Sequence, residues 1–183
     1  TDLVVLVVAA DDGVKPQTIE SIKHAKAGNV PIVVAINKCD LPESDPQKIR
    51  NQLLEYELIS EEMSGETLMV EISTKTGKNM DKLIEAVILQ SELLDLKTDF
   101  QNKAKGVVIE SKIDVGKGPI VNIIVTSGTL RKGDFFVSGL KWGKIRALVD
   151  DQMQNLELAE PSTPVEILGI NGAAKSGDDF IVL

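Results

Sequence analysis

The hydrophobic positions in the first half of the chain form short, mainly apolar runs separated by segments with a helical period. Runs of this length and composition predict strands buried on both faces of a parallel sheet. The segments between them carry apolar residues every three or four positions, which predicts amphipathic helices. The predicted strands cover residues 3–9, 32–36 and 67–72, and the predicted helices cover residues 16–27, 46–56 and 79–94. This alternation indicates a parallel, doubly wound α/β sheet.

The second half has a different pattern, in which short β-rich runs alternate with turn signals such as Lys132-Gly133-Asp134. This spacing predicts a small antiparallel barrel or sandwich. The predicted strands cover residues 106–113, 120–126, 135–138, 144–149, 164–169 and 179–182. The stretch before them, residues 95–105, is polar and has no helical period. We therefore predict an α/β domain over residues 1–97, a linker over residues 98–105 and an all-β barrel over residues 106–183.

Composition narrows the class of protein. Hydrophobic residues make up 43% and charged residues 26% of the chain, which is typical of a globular domain. No apolar run approaches the ~20 residues of a membrane helix, so no membrane partner is expected. The single cysteine excludes a disulfide within the chain and favours a reducing compartment. The net charge of −8 lies wholly in residues 1–102, so a general nucleic-acid clamp is not implied.

The strongest chemical signal is Asn37-Lys38-Cys39-Asp40, directly after the second predicted strand. Open α/β sheets bind ligands at the carboxyl ends of their strands. A carboxylate at this edge can accept hydrogen bonds from both the ring N–H and the exocyclic amine of guanine. Adenine offers no such donor pair and would leave the carboxylate unpaired. The segment therefore predicts a loop that recognises guanine.

A second loop, Ser73-Thr74-Lys75, follows the third predicted strand and can close over the same base. The backbone N–H of Thr74 is expected to donate to the guanine carbonyl oxygen, and the stem of Lys38 to lie along the base plane. The alternative is a lysine-rich turn on a solvated face. The predicted nucleotide-binding residues are Asn37, Lys38, Asp40, Ser73, Thr74 and Lys75.

These motifs, preceded by Ala9-Ala10-Asp11-Asp12-Gly13-Val14, resemble the GTP-binding domain of the bacterial translation initiation factor 2 family. Residues 127–134 and 164–169 resemble the β-barrel domain II of translational GTPases. The resemblance covers essentially the whole chain. It implies an α/β partial P-loop GTPase domain, the C-terminal part of the GTP-binding domain with the phosphate-loop half missing, followed by an all-β barrel.

The resemblance also implies a function. Asn37, Lys38 and Asp40 match the base-specificity loop of the family, and Ser73 and Lys75 match its second base-contacting loop, where threonine replaces the usual alanine. The intact protein of which this chain would be a fragment, here called the parent, would bind GTP or GDP with Mg²⁺ and hydrolyse GTP. It would assist subunit joining and place initiator tRNA, through domains absent here, on the small ribosomal subunit and its RNA. A bacterial cytoplasm is expected, with an organelle matrix as the alternative.

No phosphate-binding Gly-x-x-x-x-Gly-Lys-Ser/Thr segment and no Asp-x-x-Gly switch occur in the chain. Asp11, Asp12 and Asp45 fit no metal-ligand scheme and are interpreted as solvated loop carboxylates. We predict no catalytic or metal-binding residue, so that Mg²⁺ binds only in the intact parent and the chain alone is inactive. The alternatives are an elongation-type translational GTPase and a non-catalytic RNA- or ribosome-binding barrel.

Two further surfaces are candidates for partners. A basic segment with one aromatic residue could contact RNA phosphates and stack on a base; it comprises Arg131, Lys132, Lys141, Trp142, Lys144 and Arg146. Its alternative is a solvated turn with Trp142 packed into the barrel. In the sheet order of the family, the neighbour of the strand at residues 3–9 is missing, and the exposed apolar edge predicts self-association.

Overall fold

The computed structural model describes all 183 residues. The chain divides into two compact units, residues 1–96 and residues 97–183. In the first unit, strands and helices alternate as β1 Val4–Ala9, α1 Pro16–Ala27, β2 Ile32–Asn37, α2 Pro46–Leu54, a 3₁₀ helix Glu61–Met63, β3 Met69–Glu71 and α3 Met80–Leu93. None of its helices combines the length and the apolar composition that spanning a membrane requires.

The first unit is organised around β2, which lies between β1 and β3 in a parallel sheet. Its residues from Ile32 to Ile36 are buried on both faces, as the apolar run predicts. Strands alternate their side chains between faces. Val34 and Ile36 therefore pack with α1 and α2, whereas Val33 packs with α3. Helices on both faces of a parallel sheet confirm the doubly wound α/β prediction.

The helices begin where the sequence provides first-turn signals. Pro16 and Pro46 occupy the first turns of α1 and α2, where the missing proline N–H leaves no intrahelical bond unmade. Asp45 caps α2 by accepting a hydrogen bond from the Lys48 N–H at 3.0 Å. Asn79 precedes α3 in the left-handed conformation, and its amide donates to the Glu71 carbonyl oxygen at 2.8 Å. That bond ties the start of α3 to the end of β3.

The second unit is a closed antiparallel barrel. Its strands are β4 Lys105–Asp114, β5 Gly118–Ser127, β6 Leu130–Arg131, β7 Phe135–Ser138, β8 Lys141–Val149, β9 Asn155–Leu156, β10 Leu158–Ala159, β11 Pro164–Ile170 and β12 Asp179–Val182. The ring runs β4, β5, β11, β8, β7, β12 and back to β4. Inside it, Phe136 and Phe180 are fully buried and stacked with ring centroids 4.5 Å apart.

The structure differs from the sequence prediction at several strand boundaries. The two-residue strands β6, β9 and β10 were not predicted, and β8 begins at Lys141 instead of residue 144. Part of the predicted linker is bound to the barrel, because the Gly128 N–H donates to the Asp99 carbonyl oxygen and Thr98 Oγ1 donates to the Thr126 carbonyl oxygen. Gly128 has φ +71°, and a Cβ there would collide with the backbone of residues 102 and 104.

The stacked phenylalanines give a stability prediction for the barrel. We expect Phe180→Ala to lower the free energy of unfolding of this unit by about 3–5 kcal/mol, because it leaves a cavity beside Phe136. Phe135→Ala is the control on an exposed face of β7, with an expected change within about 1 kcal/mol. Since two units can unfold separately, the denaturant transition is followed by NMR signals of barrel amides. Equal losses for the two variants would contradict the packing.

Candidate functional site

The loop Asn37-Lys38-Cys39-Asp40 leaves β2 at the carboxyl edge of the sheet. Lys38 adopts a left-handed backbone conformation with φ +65°, which turns the chain immediately after the strand. The Cys39 N–H then donates to the Ile72 carbonyl oxygen at 3.1 Å, and the Leu41 N–H donates to the Lys38 carbonyl oxygen at 3.2 Å. The first bond holds the loop against the residue that follows β3, and the second closes a turn within the loop.

Asp40 and Ser73 join the two predicted guanine loops. Ser73 is fully buried, and its hydroxyl donates to Asp40 Oδ1 at 2.7 Å. The same Ser73 oxygen accepts the Thr76 N–H at 3.2 Å. The Ser73 hydrogen bond holds the pKa of the Asp40 carboxyl below its usual range, against a smaller opposing effect of burial; the backbone N–H of Asp40 and, more weakly, the positive charge of Lys75 act in the same direction as Ser73. Asp40 is therefore an ionised acceptor at neutral pH, facing a largely exposed loop.

Asn37 and Thr74 form a second connection between the loops. The Thr74 N–H donates to Asn37 Oδ1 at 3.1 Å, and Asn37 Nδ2 donates to Thr74 Oγ1 at 3.2 Å. The Thr74 N–H, which is predicted to donate to the guanine carbonyl oxygen, therefore already has Asn37 as its acceptor. A base at this position would share that donor with Asn37 or displace it. The threonine side chain takes part in the loop contact.

Lys38 is anchored by a residue that the sequence analysis did not place in the site. Its ammonium lies 2.9 Å from Asp11 Oδ2, and this hydrogen bond lowers the pKa of Asp11 and raises that of Lys38. The interpretation of Asp11 as a solvated carboxylate is wrong, because only 19% of its side chain is exposed. The sequence did contain a signal that Asp11 belongs to the site: it comes just after β1, at the same edge of the sheet as the two loops.

Cys39 belongs to the core and not to the site. Its thiol donates to the Ile36 carbonyl oxygen at 3.2 Å, and its side chain packs with the cluster around α1 and α2. Burial raises the pKa of the Cys39 thiol, so the group is protonated and unreactive at neutral pH. No group of three or more histidine, cysteine or acidic side chains is arranged to hold a metal ion.

Three of the six RNA-contact candidates lie together on β8. Trp142, Lys144 and Arg146 are exposed, whereas the alternate residues Gly143 and Ile145 are buried. Trp142 is 62% exposed, so it does not pack into the barrel as the alternative required. These three outward side chains share one face of β8, because the side chains of a strand alternate between its two faces.

The other three basic candidates are placed differently. Lys132 lies in a turn bonded to β8, since the Gly133 N–H donates to the Ile145 carbonyl oxygen at 2.9 Å. Its ammonium is 3.7 Å from a Glu157 carboxylate oxygen, which neutralises part of its charge. Arg131 is exposed on β6, and Lys141 is half-buried at the start of β8.

Two protein families match consecutive parts of the chain. The family described as Elongation factor Tu GTP binding domain matches residues 1–92, and the one described as Elongation factor G domain 2 matches residues 103–183.

Named relatives match the whole length. The chain is 76% identical over 183 residues to translation initiation factor IF-2 of Pelagibacter ubique and covers 25% of that protein. It is 57% identical over 183 residues to the IF-2 of Bartonella bacilliformis and covers 22% of it. The chain therefore spans about a quarter of the length of these curated relatives. They confirm the resemblance to translation initiation factor 2 and support it over an elongation-type factor or an isolated RNA-binding barrel.

Solved structures share the fold. The crystal structure of GDP-bound aIF5B from Aeropyrum pernix matches 99% of this chain, and the match covers 39% of the aIF5B chain, with a TM-score of 0.83 and 23% identity. Apo translation elongation factor SelB from Methanococcus maripaludis matches 99% of this chain and 39% of that chain, with a TM-score of 0.76 and 20% identity. They confirm the predicted fold class, a partial GTPase α/β domain followed by a β-barrel. Through its match over residues 1–92, just over half of its length, the chain belongs to the family of the elongation factor Tu GTP binding domain.

Proposed function

We propose that this chain recognises the guanine base of GTP or GDP through the two loops at the carboxyl ends of β2 and β3. The observation that carries the proposal is the 2.7 Å hydrogen bond from Ser73 to Asp40. It fixes the orientation of a carboxylate that is otherwise on an exposed loop. A carboxylate has roughly four acceptor sites, so the bonds from Ser73 and from the Asp40 backbone leave acceptor capacity for the two guanine donors.

The remaining site residues have roles that follow from their positions. Lys38 presents its aliphatic stem to one face of the base, and Lys75 adds positive charge beside Asp40. Asn37 and the Thr74 backbone meet the edge of the base that carries the guanine carbonyl oxygen. Asn37, Lys38, Asp40, Ser73, Thr74 and Lys75 thus remain our proposed nucleotide-binding set.

The parent protein is proposed to be a GTP-dependent translation initiation factor. It would promote placement of initiator tRNA on the small ribosomal subunit and subunit joining, with GTP hydrolysis. The similarity to proteins named translation initiation factor IF-2 supports this proposal. We assign residues 1–97 to the C-terminal part of the GTP-binding domain, residues 98–105 to a linker and residues 106–183 to domain II. Phosphate handling, Mg²⁺ binding and hydrolysis are assigned to the intact parent and not to this chain alone. The proposed location is a bacterial cytoplasm, with an organelle matrix as the alternative.

Replacing the proposed specificity carboxylate tests guanine recognition. In Asp40→Asn an amide replaces the charged acceptor, so binding of GDP should weaken roughly tenfold or more, as expected for a lost charged hydrogen bond. The preference for GDP over ADP should fall close to unity. Binding is measured at millimolar nucleotide from amide NMR shifts of residues 37–40 and 73–75.

Asp151→Asn is the matched control, since Asp151 is exposed on a barrel turn and the chemical change is the same. It should leave both affinities unchanged. Equal shifts with GDP and ADP in the unmodified chain would contradict guanine recognition, as would unaltered selectivity in Asp40→Asn.

We also propose that the outward face of β8 contacts ribosomal RNA. Trp142, Lys144 and Arg146 project from this face, and the Lys144 ammonium lies 5.1 Å from the centroid of the Phe135 ring. Cations beside exposed aromatic rings suit phosphate contact combined with base stacking. Arg131, Lys132 and Lys141 complete the set of RNA-contact candidates.

Reversing two of these charges tests the RNA contact. The double variant Lys141→Glu/Lys144→Glu should weaken binding to the small ribosomal subunit about tenfold at low salt and flatten the dependence of affinity on salt. Lys23→Glu/Lys82→Glu changes the net charge equally in the α/β unit and should have a much smaller effect. Unchanged affinity of the first variant at low salt would rule the contact out.

We further propose that the chain self-associates through the edge of its parallel sheet. β1 pairs only with β2, and its Val5 and Val7 are 41% and 57% exposed. An apolar strand edge of this kind is a template for pairing with another chain.

Light scattering at increasing protein concentration measures this association. The unmodified chain should form dimers or larger species, and Val7→Lys should shift the distribution toward monomer because it places a charge on the exposed apolar face of this edge strand. Thr1→Lys adds the same charge outside the strand and should not. A monodisperse monomer at high concentration would contradict the proposal.

A further inference from the structure

We propose that Asp11 is a positioning residue of the guanine site, and that its carboxylate holds the Lys38 ammonium so that the lysine stem lies ready across the base. The inference rests on the proposed guanine recognition and adds a residue from a third loop to it. Asp11 acts through Lys38 and makes no contact with the nucleotide itself.

The backbone brings Asp11 to Lys38. β1 and β2 pair in parallel with Ala9 opposite Asn37, and the Ala10 N–H extends the ladder by donating to the Asn37 carbonyl oxygen at 2.8 Å. Asp11 and Lys38, the next residues after these paired positions, therefore leave the sheet side by side. The Ala10 carbonyl oxygen accepts the Asp45 N–H at 3.1 Å, which fixes the loop on its other side.

The Asp11 carboxylate depends on Lys38. Oδ2 accepts from the ammonium at 2.9 Å, while Oδ1 is buried and has no hydrogen-bond partner. The pKa of Asp11 is lowered, mainly by this hydrogen bond. The pKa of Lys38 is raised by the same bond and, more weakly, by the charges of Asp11, Asp12 and Glu43. The two groups are thus both charged near neutrality, and removing either one leaves the other without its main partner.

The ion pair pre-organises a flexible side chain. Lysine has a long stem with many rotamers, and ordering it during binding weakens affinity. Here both ends of the stem are held, because the backbone of Lys38 is fixed at φ +65° and its ammonium is fixed by Asp11. The Lys38 side chain is still 44% exposed, so its stem remains available to a base. Binding therefore begins with the lysine already ordered.

A double-mutant cycle in the 183-residue chain separates positioning from direct contact. We expect Asp11→Asn to weaken GDP binding about fivefold, and about 1.5-fold or less when Lys38→Met is already present, because the residue acts only through the lysine. Asp11→Glu, which keeps the carboxylate, should recover part of the affinity. Asp12→Asn is the matched control, since that carboxylate pairs with the exposed Lys15 at 3.4 Å and acts on Lys38 only through a weaker charge interaction, with no hydrogen bond.

A second measurement needs no nucleotide. The ¹⁵N-bound ammonium protons of Lys38 should exchange slowly enough with water to be seen by NMR in the unmodified chain and in Asp12→Asn, and should be lost in Asp11→Asn. Denaturant unfolding of each variant shows whether the fold is kept.

The outcomes distinguish the two proposals. If the unmodified chain shows no preference for GDP over ADP, guanine recognition fails and this inference fails with it. If the preference is present but Asp11→Asn weakens GDP equally with and without Lys38, Asp11 acts on stability or on the nucleotide directly and the positioning role is overturned. Loss of the ammonium signal together with a binding effect that requires Lys38 supports it.

Discussion

The parallel pairing of β2 with a strand on each side is the constraint on which the site depends. Because all three strands run in one direction, their carboxyl ends meet at one edge of the sheet. Asp11, Lys38 and Ser73 are thereby brought together although they are far apart in the sequence. The fully buried β2 supplies the stability for this arrangement, and the loops add the chemistry.

The two units resolve the problem of strand edges in different ways. The barrel closes its ring of six strands, so each main strand has neighbours on both sides. The parallel sheet stays open, and β1 keeps one edge without a partner in the chain. Side chains of β1 alternate between the two faces of the sheet, so that Leu6 and Val8 are buried on one face and Val5 and Val7 are exposed on the other. Because every residue of the strand is apolar, this exposure reflects which face of the sheet is covered and not the composition of the strand.

Elements with a repeated local pattern could be predicted from the sequence, and elements defined by distant partners could not. The three helices and the long strands follow their apolar periods to within a few residues. Two-residue strands such as β6 and β10 are too short to show a hydrophobic period. They are defined only by their pairing, with Leu158 opposite Arg131 and Ala159 opposite Leu130. The buried Arg50 of α2 likewise gave no signal, since its partner Glu71, at 2.8 Å, lies on β3, about twenty residues further along the chain. The role of Asp11 depended in the same way on the register of β1 against β2.

The contact between Asn37 and Thr74 limits how much these two residues can contribute to recognition of a base. An exposed loop that kept a free N–H and a free amide for a base would rely on water to satisfy them. In this chain the two groups satisfy each other, at 3.1 and 3.2 Å. A base that displaces this pair exchanges one set of hydrogen bonds for another and gains little net free energy there. In the proposed guanine site, discrimination would then rest on Asp40, whose charge is oriented by Ser73 and would remain unpaired opposite adenine.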